Sequence, residues 1–442
     1  MIKERKNNKV REYDLKITKE NIEESIRNDI LKRNSKLNKL IELLNSIEEN
    51  KIIALDGKWG CGKTFFLKQL EYINKEDCKS DVLKNSGKFE EENIKKFKEK
   101  YDVYYYNAWE NDMHNIPLLS LIYNLINDHQ SIRKRTASGE IELPINIKGA
   151  LNTISKGIID IDKVKSYEDL VEEITTAEEK KKALNNIIND ILQDNKKLIF
   201  IIDELDRCNP KYAVDMIEVI KHFYTNDKIV FLLGINNEQL SHTISNYYGV
   251  KFDSYGYLNK IYNLIIELDE ILPSTYIESV IGIKESSRWS ISAIFAVCNY
   301  FNFQMREINR IMNDFDIIMH YISTSGYDYS ENNILKNIFL PYSLGLKIKG
   351  KIELTNFLTG NGYEELEKFV FSNEKMKKII EYSIKSNINS DEKKEIVESE
   401  IKKYLKKEYV SYFYEKSDDW EIKETKKIFL DTFSLLGNLS RY

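Results

Sequence analysis

Proline and glycine are scarce in this 442-residue sequence, at 5 and 17 positions, which excludes a collagen-like chain and a Pro/Gly-rich disordered one. Cysteine is scarcer still. Cys61, Cys78, Cys208 and Cys298 stand far apart, without a C-x-x-C pair or a histidine at ligand spacing, so neither a disulfide framework nor a zinc site is expected, and a reducing cytosol fits. No window approaches about 18 consecutive apolar residues, and no apolar stretch follows the basic Lys3, Arg5, Lys6 and Lys9, so the sequence predicts neither a signal peptide nor a transmembrane span. Positive charge is not in excess: 66 Lys and Arg stand against 71 Asp and Glu, and the net charge of -5 gives no global attraction to nucleic acid or anionic membranes. What is present is 42% hydrophobic and 31% charged residues, enough for a folded, mostly helical chain whose length suggests roughly two to three domains.

The N-terminal residues 1–50 read as polar helix, with Leu31, Leu37, Leu40, Ile41, Leu44 and Ile47 at three- and four-residue spacing. Ile52 to Leu55 then has the length of a buried strand, breaks at Gly57 and leads into the helical stretch Thr64 to Tyr72. Residues 77–100 read as a solvated helix or loop. Asp102 to Asn107 is a second strand candidate, and Pro117 to Ile126 a helix start. Leu198 to Ile202, Ile229 to Leu233 and Ile261 to Leu268 complete five strands, with the helical pattern Val214, Ile217, Ile220, Phe223 between two of them. Strands spaced by helices imply an α/β fold with a mainly parallel sheet. The expected domains are a helical segment over 1–50, the α/β core over 51–270 with a helical insertion at about 127–195, a helical lid over 271–325 and a helical C-terminal region over 326–442.

Gly57-Lys58-Trp59-Gly60-Cys61-Gly62-Lys63-Thr64 fits G-x-x-x-x-G-K-[ST] at every fixed position, between a strand and a helix. Glycines let the backbone curl so that its N–H groups and the helix N-terminus face phosphate oxygens; Lys63 adds a mobile ammonium, and Thr64 a hydroxyl for Mg²⁺. The candidate nucleotide-binding set is Gly57, Trp59, Gly60, Cys61, Gly62, Lys63, Thr64 and Phe65. The strand ending Asp203-Glu204-Leu205-Asp206-Arg207 supplies a candidate metal ligand, Asp203, and a candidate base for water, Glu204. Asn236 follows another strand and reads either as a sensor of γ-phosphate or as the cap of the next helix. Arg306 and Arg310, one helical turn apart, are either lid arginines that reach the nucleotide or surface arginines. Trp59 and Trp109 either shape the ligand surroundings or pack in the core, and Cys61 is either an oxidisable group or filler.

With these segments in place, the chain resembles the KAP P-loop NTPases over about residues 28–315. Ile53 to Thr64 resembles that family's tryptophan-containing Walker A, Tyr106-Asn107-Ala108-Trp109-Glu110 its Asn-x-Trp segment, and Ile202 to Pro210 its extended Walker B. Tyr257 to Ile261 and Arg306 to Arg310 resemble its later strand and its helical arginine segment. The resemblance implies Lys63 and Thr64 for phosphate and magnesium, Asp203 for the metal and Glu204 for water activation. Asp206 and Arg207 match extra polar positions, with Arg207 acting on a neighbouring subunit's nucleotide or pairing with Asp206.

Two departures stand out: no membrane span lies between the two Walker motifs, and Asn236 occupies a position that is often acidic in relatives. The expectation is a cytoplasmic ATP- or GTP-hydrolysing switch with Mg²⁺, acting as a homo-oligomer or with a partner protein, in a bacterial setting of phage exclusion. A slowly turning-over nucleotide-binding scaffold is the alternative. A nucleic-acid motor is a third reading, for which the Lys-rich stretch Ile401 to Lys407 offers a basic patch or simply a solvated helix face.

Overall fold

The computed structural model describes residues 15–75, 78, 80–114, 116–128, 134–135, 141–142, 185, 188, 192, 196–223, 227–285, 288–324, 334–386, 396–414, 427, 429–431 and 433. Residues 16–270 form one compact unit and residues 271 onwards another.

The first unit is built on five parallel strands: β1 (Lys51–Asp56), β2 (Tyr101–Asn107), β3 (Lys197–Asp203), β4 (Ile229–Ile235) and β5 (Leu264–Glu267), in spatial order β2-β3-β4-β1-β5. Parallel strands between helical layers are buried on both faces, so their sequences run apolar without alternation. Every residue of β4 is buried, as are Leu198 to Asp203 of β3. One face carries Ile52, Ala54, Tyr104, Tyr106, Phe200, Ile202, Phe231 and Leu233 in a single core with α6 (Pro117–Asp128), α7 (Pro210–Phe223), α8 (Asn237–Tyr248) and α9 (Ser254–Ile261). α3 (Lys63–Asn74) packs on β2 and β4 and buries Phe66, Leu67 and Leu70. The register pairs Asn107 with Asp203, Asp203 with Gly234, and Asp56 with Ile235, so four strand ends meet at one sheet edge. Ligands of such sheets bind outside the carboxyl ends of the strands.

Two helices precede the sheet. The Thr18 hydroxyl caps α1 (Lys19–Asn28), which stops at Asp29 in the left-handed region with φ 47°. α2 (Asn34–Ser46) buries Leu37, Leu40, Ile41 and Leu44, and Leu31 and Ile47 flanking it are buried as well, which is the stripe read from the spacing.

Three expectations change. Residues 77–100 hold two helices, α4 (Ser80–Ser86) and α5 (Glu91–Lys100), and Val82, Ile94 and Phe97 are buried, because sparse apolar residues at helical spacing suffice to dock a short helix. The strand expected over Ile261 to Leu268 runs over Leu264–Glu267, and Tyr257 to Ile261, which resemble a family strand, are helical in α9, whose start the Asp253 carboxylate caps by accepting from Gly256 N at 2.9 Å. The insertion read at 127–195 falls almost entirely outside the described residues; within it, Lys134–Arg135 pairs antiparallel with Ile141–Glu142.

The regular elements among the described residues of the second unit are all helical, including α10 (Pro273–Tyr276), α11 (Trp289–Tyr300), α12 (Met305–Thr324), α13 (Leu340–Lys349), α14 (Lys351–Leu358), α15 (Tyr363–Phe371), α16 (Glu374–Ser386) and α17 (Glu398–Phe413). Its centre is aromatic: Phe339, Tyr342, Phe357, Tyr409 and Phe413 form one linked cluster, with contacting ring centroids 5.0–6.2 Å apart. Ile401 and Leu405 of α17 are buried, whereas Lys402, Lys403, Lys406 and Lys407 are exposed, with Lys402 paired to Glu367 at 2.8 Å. That is a solvated helix face.

Candidate functional site

The glycine loop leaves β1 at its carboxyl end, where Gly57 N donates to Ile235 O at 3.1 Å and ties the loop to β4. Gly60 and Gly62 have φ of 81° and 90°, the left-handed region that glycine enters without a Cβ penalty. Gly57 is required for a different reason: a Cβ there would stand 2.8 Å from the Cys61 sulfur. The loop thereby turns sharply into α3, whose first residue is Lys63. The Lys63 ammonium folds back onto its own loop, donating to Gly57 O at 2.6 Å and Lys58 O at 3.2 Å. It therefore lies inside the curl where phosphate oxygens would be cradled. Cys61 and Phe65 are both buried, so Cys61 is filler and the Phe65 ring belongs to the core.

An arginine that no motif singles out holds this loop from outside. Arg33, at the start of α2 and buried, donates from Nη1 to Cys61 O at 2.7 Å and from Nη2 to Asp269 O. Lys36 reaches the Asp269 carboxylate at 2.6 Å, and Lys58 of the loop pairs with Glu270 at 2.7 Å. The phosphate loop is thus fastened to the segment that follows β5.

The carboxylate cluster stands at the end of β3. Asp203 is fully buried; its Oδ2 accepts from the Tyr105 hydroxyl at 2.9 Å, its Oδ1 from Glu204 N at 2.9 Å, and the Thr64 hydroxyl bonds it as well. Burial dominates and pushes its pKa up to about 6, against the pull of these hydrogen bonds. Burial, reinforced by Asp203, likewise pushes the Tyr105 hydroxyl far above its ordinary range, which keeps it a donor, and Lys68 of α3 sits 3.4 Å over the Tyr105 ring.

Glu204 follows in a left-handed conformation with φ 61°, its N–H also directed at Gly234 O at 3.1 Å. A non-glycine residue there costs on the order of 1–3 kcal/mol, and such strain persists only where the surroundings over-determine it. Its side chain is largely buried: Oε1 pairs with Arg207 Nη1 at 2.8 Å, and Oε2 lies 3.5 Å from Asn107 Nδ2.

The structure thus brings Lys63, Thr64, Asp203 and Glu204 to one edge of the sheet. Asn236 comes to that edge too, but as the cap of α8, its side chain accepting from Gln239 N at 3.2 Å. Trp59 and Trp109 are 44% and 50% exposed, so neither is a core residue. The Trp59 indole donates to the buried carboxylate of Asp206, and Arg207 lies 5.6 Å over the Trp109 ring. Arg207 accordingly pairs with Glu204, while Asp206 is engaged by Trp59. Arg306 and Arg310 are exposed on α12, in the second unit.

The residues fit a nucleotide with a divalent cation. Among the described residues no group of three or more His, Cys, Asp or Glu side chains could hold a metal ion unaided. The Thr64 hydroxyl and Asp203 carboxylate instead offer two hard oxygens, the partial set that Mg²⁺ uses when phosphate and water complete its octahedron.

No described helix is long and apolar enough to cross a membrane. A family model, the KAP family P-loop domain, matches residues 33–322, well over half of the chain, and the chain belongs to that family. Comparison with curated proteins found no match. The family points to a nucleotide site, in agreement with the loop geometry.

Proposed function

From membership in the KAP family of P-loop proteins, we propose that this protein hydrolyses ATP or GTP with Mg²⁺ and works as a conformational switch. One observation carries the reading: the buried Asp203 carboxylate is bonded to the Thr64 hydroxyl directly after Lys63, with Glu204 next to it. A structural turn has no use for a fully buried carboxylate whose ionisation burial resists.

In this reading the N–H groups of residues 60–64 and the start of α3 hold the β- and γ-phosphates, and Lys63 exchanges its loop carbonyls for phosphate oxygens. Thr64 and Asp203 would hold the cation, which when bound would withdraw charge from the phosphates. Glu204 orients a water and accepts its proton as the water oxygen bonds to the γ-phosphorus and the bond to the bridging oxygen breaks. The products are the diphosphate and inorganic phosphate. Arg306 and Arg310 are candidates for the cation that neutralises the transition state, and a homo-oligomer or partner protein is the expected reader of the nucleotide state. Phage exclusion is the setting implied by the sequence resemblance; infection assays with Lys63→Ala test it.

Steady-state hydrolysis and nucleotide binding by wild type, Lys63→Ala and Glu204→Gln test the chemistry. Loss of binding in Lys63→Ala, and loss of turnover with binding retained in Glu204→Gln, are expected. A wild type that binds nucleotide yet never turns it over would replace the switch with the scaffold reading.

A further inference from the structure

We infer that Arg207 is a positioning residue for Glu204: it anchors one carboxylate oxygen so that the other is aimed at the attacking water. The inference rests on the hydrolytic reading above and adds a residue to it. Its first support is the ion pair, Arg207 Nη1 to Glu204 Oε1 at 2.8 Å, between side chains only 20% and 15% exposed. A pair so sheltered is held in one geometry, unlike a solvated surface pair.

The second support is that Arg207 is itself held. Its guanidinium lies 5.6 Å over the Trp109 ring, within the range of cation–π attraction. Asn107 accepts from Trp109 N at 3.1 Å and Glu110 N at 3.3 Å, and its own Nδ2 lies 3.5 Å from Glu204 Oε2. The end of β2 therefore reaches Glu204 through Trp109 and Arg207, while Asn107 Nδ2 donates to Glu110 Oε1 at 2.9 Å and only borders Glu204.

The third support is the backbone. Glu204 holds a left-handed φ of 61° between N–H contacts to Gly234 O and Asp203 Oδ1. In the turn that follows, Leu205–Arg207, the Arg207 guanidinium meets the Glu204 carboxylate. Aiming matters because a general base contributes only within hydrogen-bond reach of the proton it takes, and a misplacement of about 1 Å can cost roughly a hundredfold.

The test measures kcat, KM, nucleotide affinity and melting temperature for wild type, Arg207→Ala and Arg207→Lys. Arg207→Ala is expected to lower kcat by between about tenfold and a hundredfold, leaving nucleotide affinity within about twofold. Arg207→Lys, which keeps a charge but loses the planar fork, is expected to recover part of the loss. Because Trp59 ties the adjoining Asp206 to the phosphate loop, collapse of the turn would show as weakened binding and a lower melting temperature.

That collapse in both variants would overturn the inference in favour of a purely structural turn. Unchanged kcat would overturn it, and so would a raised kcat, which would make the pair a restraint on Glu204. Absence of turnover in the wild type would remove the hydrolytic reading first, an outcome distinct from wild-type turnover that ignores Arg207.

Discussion

Gly234 stands directly opposite Asp203 across the parallel pairing of β3 and β4, so close that a Cβ at Gly234 would lie 2.5 Å from Asp203 Oδ1 and 2.5 Å from the Leu67 side chain. The absent side chain makes room for the carboxylate. Gly234→Ala is expected to destabilise the fold by about 1–3 kcal/mol through overpacking and to weaken Mg²⁺-dependent nucleotide binding, because Asp203 must shift. Denaturant unfolding and titration with a fluorescent nucleotide check both halves.

Asp203 gives a pH prediction whose sign follows from burial. Its pKa rises from 3.8 to about 6 on folding, so between those values the folded chain binds the proton more readily than the unfolded chain. The stability this contributes is full below about pH 4 and is lost as pH rises through about 6, a loss on the order of 3 kcal/mol. Asp203→Asn is therefore expected to raise the melting temperature of the nucleotide-free protein at pH 8, with little effect near pH 4, and to abolish Mg²⁺-dependent binding. A melting temperature that falls at pH 8 would contradict it.

Arg33 links the phosphate loop to the chain after β5 through two charged hydrogen bonds to carbonyl oxygens. Arg33→Ala leaves Cys61 O without that donor, and hydrogen bonds to charged groups contribute about 1.5–3 kcal/mol. A lower melting temperature and about tenfold weaker nucleotide binding are expected, since about 1.4 kcal/mol of lost loop order is a factor of ten. Arg33→Lys should recover less than half of either, having no planar fork to span two carbonyls.

Asn236 separates capping from sensing. Asn236→Ala is expected to cost about 1 kcal/mol in unfolding free energy, and Asn236→Asp, an equally good cap, to cost little. If kcat follows stability across the two variants, the side chain acts as a cap; a kcat that collapses in both at unchanged binding makes it a sensor.

Much of the first unit could be read from the chain because its signals are local. Ile52 to Leu55 and Leu198 to Ile202 are apolar on both faces, and Gly57 to Thr64 has fixed spacing, so β1, β3 and the loop need no knowledge of distant partners. Lys63, Thr64, Asp203 and Glu204 were legible for the same reason. Arg33 was not: a single arginine in a polar helical stretch says nothing of a carbonyl 28 residues on. Nor was Tyr105, one of three successive tyrosines, of which the strand's alternation turns this one toward Asp203. The sequence leaves Arg207 between a neighbouring subunit's nucleotide and Asp206, and neither alternative names Glu204, the carboxylate it meets in the fold. Tyr257 to Ile261 misled because the likeness to a family strand rested on a mixed Tyr-Leu-Asn-Lys-Ile stretch with no strand periodicity of its own, and the Asp253 cap starts a helix there.

The sheet order also sets when the loop can exist during synthesis. β1 emerges from the ribosome early, yet both its neighbours lie far downstream: Ile53 aligns with Leu232 on one side and with Leu264 on the other. Until translation has passed those positions, the strand that leads into the glycine loop has no backbone partner, and Gly57 N has no Ile235 O to anchor it. A truncated nascent chain thus carries the whole glycine signature without a working cradle, and a strongly apolar β1 must be shielded meanwhile. The loop's anchor thus arrives with β4, and the second neighbour of β1 with the fifth strand.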